Sequence, residues 1–156
     1  GFDDAACEAA ITQADWPARM QRLRKGPLVK AAGQAQLWLD GGHNAAAGAA
    51  IAKLLAKGNR APTHLICGML RTKDASGYMG HLAPHVAGLH AVSIPGEAAT
   101  LSAAETAQAA RSVGIDAHEA ETVAAALADI VAGHPQARVL ICGSLYLAGA
   151  VLRENG

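Results

Sequence analysis

No apolar run in this chain approaches the ~18 to 20 residues that cross a bilayer, and the N-terminus lacks the basic stretch and apolar segment of an export signal. A cytoplasmic protein with no membrane partner is therefore expected. Cysteine is scarce and odd in number: Cys7, Cys67 and Cys142. The last two close the apolar runs LIC and VLIC, so free core thiols are expected rather than disulfides or nucleophiles. Aromatic residues make up only 3% of the chain, which leaves packing to aliphatic side chains. Neither sign of charge prevails, with 13 basic and 13 acidic residues. Without a global field to attract nucleic acid, none is expected as a partner, and any anion site must be local.

The missing motifs are equally informative. No segment reads G-x-x-x-x-G-K-[ST], so the chain carries no phosphate-cradling loop and cannot be a self-sufficient P-loop ATPase. The stretch DGGHNAAAG fails G-x-G-x-x-G, which weakens a nicotinamide-binding reading. His81 and His85 are four apart, but Pro84 lies between them and no cysteine or carboxylate completes a ligand set, so no metal site is expected. There is no repeat of solenoid length and no low-complexity linker. The chain opens on glycine rather than methionine and is expected to be a piece of a longer protein.

What is present is one domain's worth of chain. Its 156 residues are 51% hydrophobic and 17% charged, enough to bury roughly two thirds of the surface an unfolded chain exposes. From Gln36 onward short apolar runs alternate with alanine-rich helical stretches, the pattern of βαβ units in a parallel sheet. Strands are expected at Leu37–Leu39, His64–Cys67, Leu89–Ile94 and Arg138–Cys142, with a weaker one near Ile115. Asn44 can cap a helix ending at Gly58, with Lys53 and Lys57 suited to its C-terminal dipole end. Ser102 and Glu105 form a capping box at the head of another helix. A third runs from about Glu121 to Gly133, stopped by Pro135, and the last begins near Ser144. Ser76 to Val86 reads as a short helix broken at Pro84. Gly26-Pro27 followed by Leu28-Val29 suggests an antiparallel edge strand. The predicted fold is a three-layer, Rossmann-like α/β/α sandwich on a mostly parallel sheet of about six strands.

Three predicted strands end in glycine: LWLDGGHN, LICGML and LICGSL. In an open parallel sheet, ligands bind beyond the carboxyl ends of the strands, where helix N-termini point free N–H groups outward. These loops should share one rim, although a tight turn alone would also call for glycine.

Taken in order and spacing, LDGGHN, GML-x-x-KD and CGSLYLAG-x-VLR, with WPARMQ upstream, resemble the C-terminal domain of folylpolyglutamate synthase/dihydrofolate synthase, a folate-dependent branch of the Mur ligase superfamily. The resemblance runs from about Asp15 to Arg153. It departs from the family pattern at Ala18 (glycine in the family), Ala45 (proline) and Thr72 (aspartate), and the stretch between Arg19 and Asp40 is longer, expected to be a surface excursion. The resemblance implies residues 1–20 as a junction from an absent P-loop ATPase domain and residues 21–156 as the glutamate-binding domain. It implies ATP-dependent addition of L-glutamate to dihydropteroate or folate through an acyl phosphate. ATP and Mg2+ would be the cofactors, with the magnesium ligands mainly on the absent domain, and the parent would be monomeric. The isolated domain would be inactive. A cell-wall Mur ligase domain and a non-catalytic Rossmann-like binding module are the competing readings.

Each candidate residue has a plainer role beside the functional one. Asp40 could accept hydrogen bonds from ribose hydroxyls or cap the following helix; the resemblance implies ATP contact. Arg19 could offer its donor fork to a nucleotide or be a solvated arginine; the resemblance again implies ATP. His43, at a helix start where the dipole disfavours imidazolium, could orient a carboxylate or acyl phosphate, or be a simple helix-entry residue. Ser144 could present a hydroxyl and helix N–H groups to glutamate or be an ordinary cap, and Lys73 could hold a glutamate carboxylate or pair with Asp74.

Overall fold

The computed structural model describes residues 20–57 and 62–155. Strands β3 (Thr63–Cys67) and β6 (Arg138–Cys142) are buried at every position, so both of their faces must be covered. They lie at the centre of a six-stranded sheet with β1 (Gln21–Leu23), β2 (Gln36–Leu39), β4 (Gly88–Ala91) and β5 (Ala117–Glu119), in the order β1-β2-β6-β3-β4-β5. All pairs are parallel except β1 with β2, where Gln21 faces Leu39.

Alternate residues of each strand feed opposite layers. Leu37, Leu39, Ile66, Val139 and Ile141 pack with α1 (Pro27–Ala32), α5 (Val123–Gly133) and α6 (Leu145–Asn155). Leu65, Cys67, Leu89, Ala91 and Leu140 pack on the other side with α2 (Ala45–Leu55), α3 (Ala75–Leu82) and α4 (Ala103–Ser112). This is the expected three-layer α/β/α arrangement. Among the described residues no helix is long and apolar enough to cross a membrane.

The helix ends follow their local chemistry. Asn44 accepts from Ala47 N at 2.8 Å, Thr122 caps α5, and Ser102 with Glu105 closes both bonds of a capping box on α4. The break at Pro84 is real: α3 stops at Leu82 and a 3-10 turn spans Ala83–His85. Strand β4 ends at Ala91, earlier than the apolar run suggests, although Val92 N–H still donates to Cys67 O at 2.9 Å and Ile94 stays buried. The weak strand near Ile115 begins two residues later, at Ala117.

Two expectations fail in the N-terminal third. Leu28-Val29 is not an edge strand: Pro27 occupies the first turn of α1, where its missing N–H is not needed, and the antiparallel edge is formed by Gln21–Leu23. Nor is the stretch from Arg19 to Asp40 a surface excursion, in its described part. Leu23, Leu28 and Ala32 are buried on the side of the sheet covered by α1, α5 and α6. The side chain of Asn155 locks α1 to the end of α6, accepting from Leu28 N and donating to Lys25 O, both at 2.8 Å.

Candidate functional site

Because β2, β6 and β3 are adjacent and parallel, the loops that follow them emerge on one rim. Between them lies a cavity of about 180 Å³. The first loop contributes His43, the second Leu70, Thr72 and Lys73, and the third Gly143, Ser144, Leu145 and Tyr146. Sites for drug-sized ligands run to roughly 300–1,000 Å³, so this one suits a small molecule and not a whole nucleotide.

Gly143 is required by its geometry. It has φ of 108°, and a Cβ there would lie 2.6 Å from Gly68 O and 2.9 Å from Cys67 Sγ. The close approach seats the β6–α6 turn directly on the β3 loop and brings Ser144 to the cavity wall. Ser144 is 2% exposed and acts as a helix cap: Tyr146 N donates to its Oγ at 3.0 Å and Leu147 N at 3.5 Å. Both contacts use the hydroxyl oxygen as acceptor, which leaves its proton as a donor. The start of α6 adds the positive end of an eleven-residue helix.

Lys73 is half-buried and, among the described residues, has no ion-pair partner. Asp74 accepts instead from Gly77 N at 3.0 Å as the cap of α3. Among the described residues the cavity wall carries no carboxylate, so a lysine and a helix N-terminus give it a locally positive character on a chain of zero net charge. Burial holds the His43 imidazole below its ordinary pKa, Lys73 adds to the depression, and a backbone hydrogen bond opposes both. Apart from that contact with the residue's own backbone, its buried Nδ1 has no hydrogen-bond partner among the described residues. Such an orphaned group carries a desolvation cost of about 1–3 kcal/mol, which a ligand that bonds it would recover.

Asp40 is placed differently from these three. It is 4% exposed and does not line the cavity. Its Oδ1 accepts from Gly42 N at 2.7 Å and its Oδ2 from Met20 N at 3.0 Å, so the carboxylate closes the β2 turn and pins the start of β1. The helix-cap role falls to Asn44. Arg19, Cys7 and most of WPARMQ lie outside the described residues. Cys67 and Cys142 are free and buried, as expected of core thiols. A hydrogen bond to Cys142 and burial push the Cys67 thiol well up, which keeps it protonated and inert.

Leu70 and Tyr146 were not singled out by sequence. Tyr146 is 56% exposed at the cavity, one of two large hydrophobic residues so exposed among those described. The available signals were its place within CGSLYLAG and its position two residues after the cap of a rim helix.

Residues 18–145 match the family described as Mur ligase, glutamate ligase domain. No curated protein sequence matches the chain. Several solved structures share its fold. Mycobacterium tuberculosis folylpolyglutamate synthase complexed with ADP and AMPPCP is 27% identical with a TM-score of 0.71, over 93% of this chain and 33% of that one. E. coli FolC in complex with DHPP and ADP is 21% identical with a TM-score of 0.72, over 90% and 31%. The bifunctional folylpolyglutamate synthase/dihydrofolate synthase from Yersinia pestis, complexed with AMPPNP and Mn ion, is 24% identical with a TM-score of 0.70, over 90% and 32%. The chain thus spans about a third of the length of these proteins. With the family matched over most of its length and a rim assembled from the same three loops that carry the sequence motifs, the chain belongs to the Mur ligase family as a C-terminal, glutamate ligase domain.

Proposed function

We propose that this domain supplies the amino-acid site of an ATP-dependent amide ligase, and that the amino acid is L-glutamate. The observation that carries the reading is the cavity that gathers Ser144, Lys73 and His43 from three separate loops. Lys73 and the α6 N-terminus would hold carboxylates, and the Ser144 hydroxyl would donate to one of them. The partner domain would be a P-loop ATPase, since this chain has no such loop. The acceptor would be dihydropteroate or folate, in keeping with the folate enzymes that share the fold.

The chemistry follows from the poor electrophilicity of a carboxylate. ATP transfers its γ-phosphoryl group to the acceptor carboxylate, giving an acyl phosphate and ADP. The glutamate amine then attacks the acyl carbon, the C–O bond to phosphate breaks, and amide and inorganic phosphate leave. Attack requires a neutral amine. That amine would lose its proton to solvent before attack, and a His43 kept neutral by burial and by Lys73 would orient a substrate carboxylate or the acyl phosphate by hydrogen bonding. Holding amine and acyl carbon in register, with water excluded, is a positioning effect of up to about 7–11 kcal/mol in the most favourable cases.

The cavity is too small for ATP, so most of the nucleotide site would belong to the ATPase domain. Mg2+ would be held mainly by that domain as well, together with the nucleotide phosphates. Asp40 and Arg19 would complete the nucleotide site from this side, Asp40 only if it gives up or shares its backbone hydrogen bonds. The test is substrate kinetics in the enzyme that carries this domain. Lys73→Ala should raise the glutamate KM with little change in the ATP KM; the opposite pattern would overturn the assignment.

A further inference from the structure

The loop from Gly68 to Asp74 puts Leu70, Thr72 and Lys73 on the cavity wall, while Arg71 turns outward. Its guanidinium makes a two-pronged pair with Glu105 at the head of α4, Nη1 to Oε2 at 3.0 Å and Nη2 to Oε1 at 3.1 Å. Nη2 also donates to Thr100 O at 3.2 Å. Glu105 is itself fixed, because its Oε1 accepts from Ser102 N at 2.9 Å and its own N–H donates to Ser102 Oγ at 3.0 Å. Around the pair, Arg71 N donates to Ala99 O at 2.7 Å and Leu101 N to Met69 O at 2.9 Å. The fork thereby adds a side-chain tie to the two backbone bonds that join the Lys73 loop to the segment leading into α4, whose first turn is fixed by its capping box.

We propose that Arg71 is a positioning residue: its fork to Glu105 and Thr100 holds the loop in the register that sets Lys73 beside His43. The pair is exposed, so it adds little to global stability, and removing it should loosen the loop without unfolding the domain. A lysine in place of Arg71 offers a point charge and no planar fork, so it should not restore the geometry. The consequence for catalysis rests on the glutamate reading above. The consequence for the loop does not.

The experiment compares the 156-residue chain with its Arg71→Ala, Arg71→Lys and Lys73→Met variants by NMR. It reads the titration midpoint of His43 and the hydrogen exchange of the Arg71, Lys73 and Leu101 amides. Lys73→Met should raise the His43 midpoint by removing the neighbouring cation. Arg71→Ala and Arg71→Lys should raise it in the same sense and speed exchange of those three amides, with the unfolding midpoint near wild type. A His43 midpoint that stays at the wild-type value in Arg71→Ala, or in Lys73→Met itself, overturns the proposal, as does full rescue by Arg71→Lys. In the ligase that carries this domain, Arg71→Ala should raise the glutamate KM about two- to five-fold, the range expected of an exposed pair, at unchanged kcat. Altered NMR behaviour without a change in glutamate KM would count against glutamate and leave the positioning role standing.

Discussion

Replacing Gly48 with alanine should destabilise the protein, although glycine to alanine inside a helix ordinarily stabilises by ~1 kcal/mol. Gly48 lies within α2 where that helix crosses α3. A Cβ added there would sit 2.4 Å from Tyr78 O and 3.2 Å from its carbonyl carbon. The obstruction is backbone and cannot rotate away, so the two helices must separate. Overpacking of this kind costs about 1–3 kcal/mol. Subtracting the gain in helix propensity leaves a net loss of about 1–2 kcal/mol, since contact with backbone belongs at the severe end of that range. For a chain of this length that corresponds to a fall in Tm of about 2–8 °C. Gly80 provides the control on the facing helix: its added Cβ would find only Val113 Cγ1, at 4.0 Å. There the same exchange should raise stability by about 0.5–1 kcal/mol, or about 1–4 °C. Thermal unfolding followed by far-UV circular dichroism at one fixed pH reads both. A Tm that rises in Gly48→Ala as it does in Gly80→Ala would refute the close helix contact from which the sign was reasoned.

Ser144→Ala removes the cap of α6 and should cost about 1 kcal/mol in denaturant unfolding, apart from any effect on ligand; an unchanged midpoint at unchanged slope would mean that the hydroxyl does not cap the helix. Asp40→Ala leaves Gly42 N and Met20 N without their acceptor and should cost about 1–3 kcal/mol by the same measurement. Stability equal to wild type would show that the β1 tie does not form. His64 is buried beside His134 and His90, and burial first, then those neighbours, depress its pKa below 6.5. Above about pH 6.5 folded and unfolded chains both carry it neutral; as pH falls below that value the unfolded chain takes up the proton first, so stability declines until the lower folded pKa is passed. Replacing His64 with glutamine should flatten this part of the profile, and a stability curve of unchanged slope between pH 6.5 and 5 would contradict it.

The sheet and its rim were legible because their signal is local. Each central strand is an apolar run closed by glycine, and parallel pairing then forces LWLDGGHN, LICGML and LICGSL to end side by side. Helix starts were legible for the same reason: Asn44 and Ser102 bond N–H groups three residues ahead of them, as does Thr122, where the sequence reading placed only a helix start near Glu121. The segment before Gln36 was misread because Gly26-Pro27 opens a turn and a helix equally well, and the choice is made by Asn155, 127 residues from its partner Leu28. Asp40 shows the same limit, since its contact with Met20 joins residues twenty apart in sequence. The Arg71–Glu105 fork had no sequence pattern at all, and Tyr146 became part of the site only when the β6–α6 turn settled on the β3 loop.

The central claim is that the rim cavity accepts glutamate. Its most direct test is steady-state kinetics of the ligase that carries this domain, varying glutamate and ATP separately in the wild type and in Ser144→Ala and Lys73→Ala. Loss of a hydrogen bond to a charged ligand is worth about 1.5–3 kcal/mol, so the glutamate KM should rise by roughly ten- to a hundred-fold while the ATP KM stays within about two-fold. A glutamate KM unchanged in both variants would contradict the account.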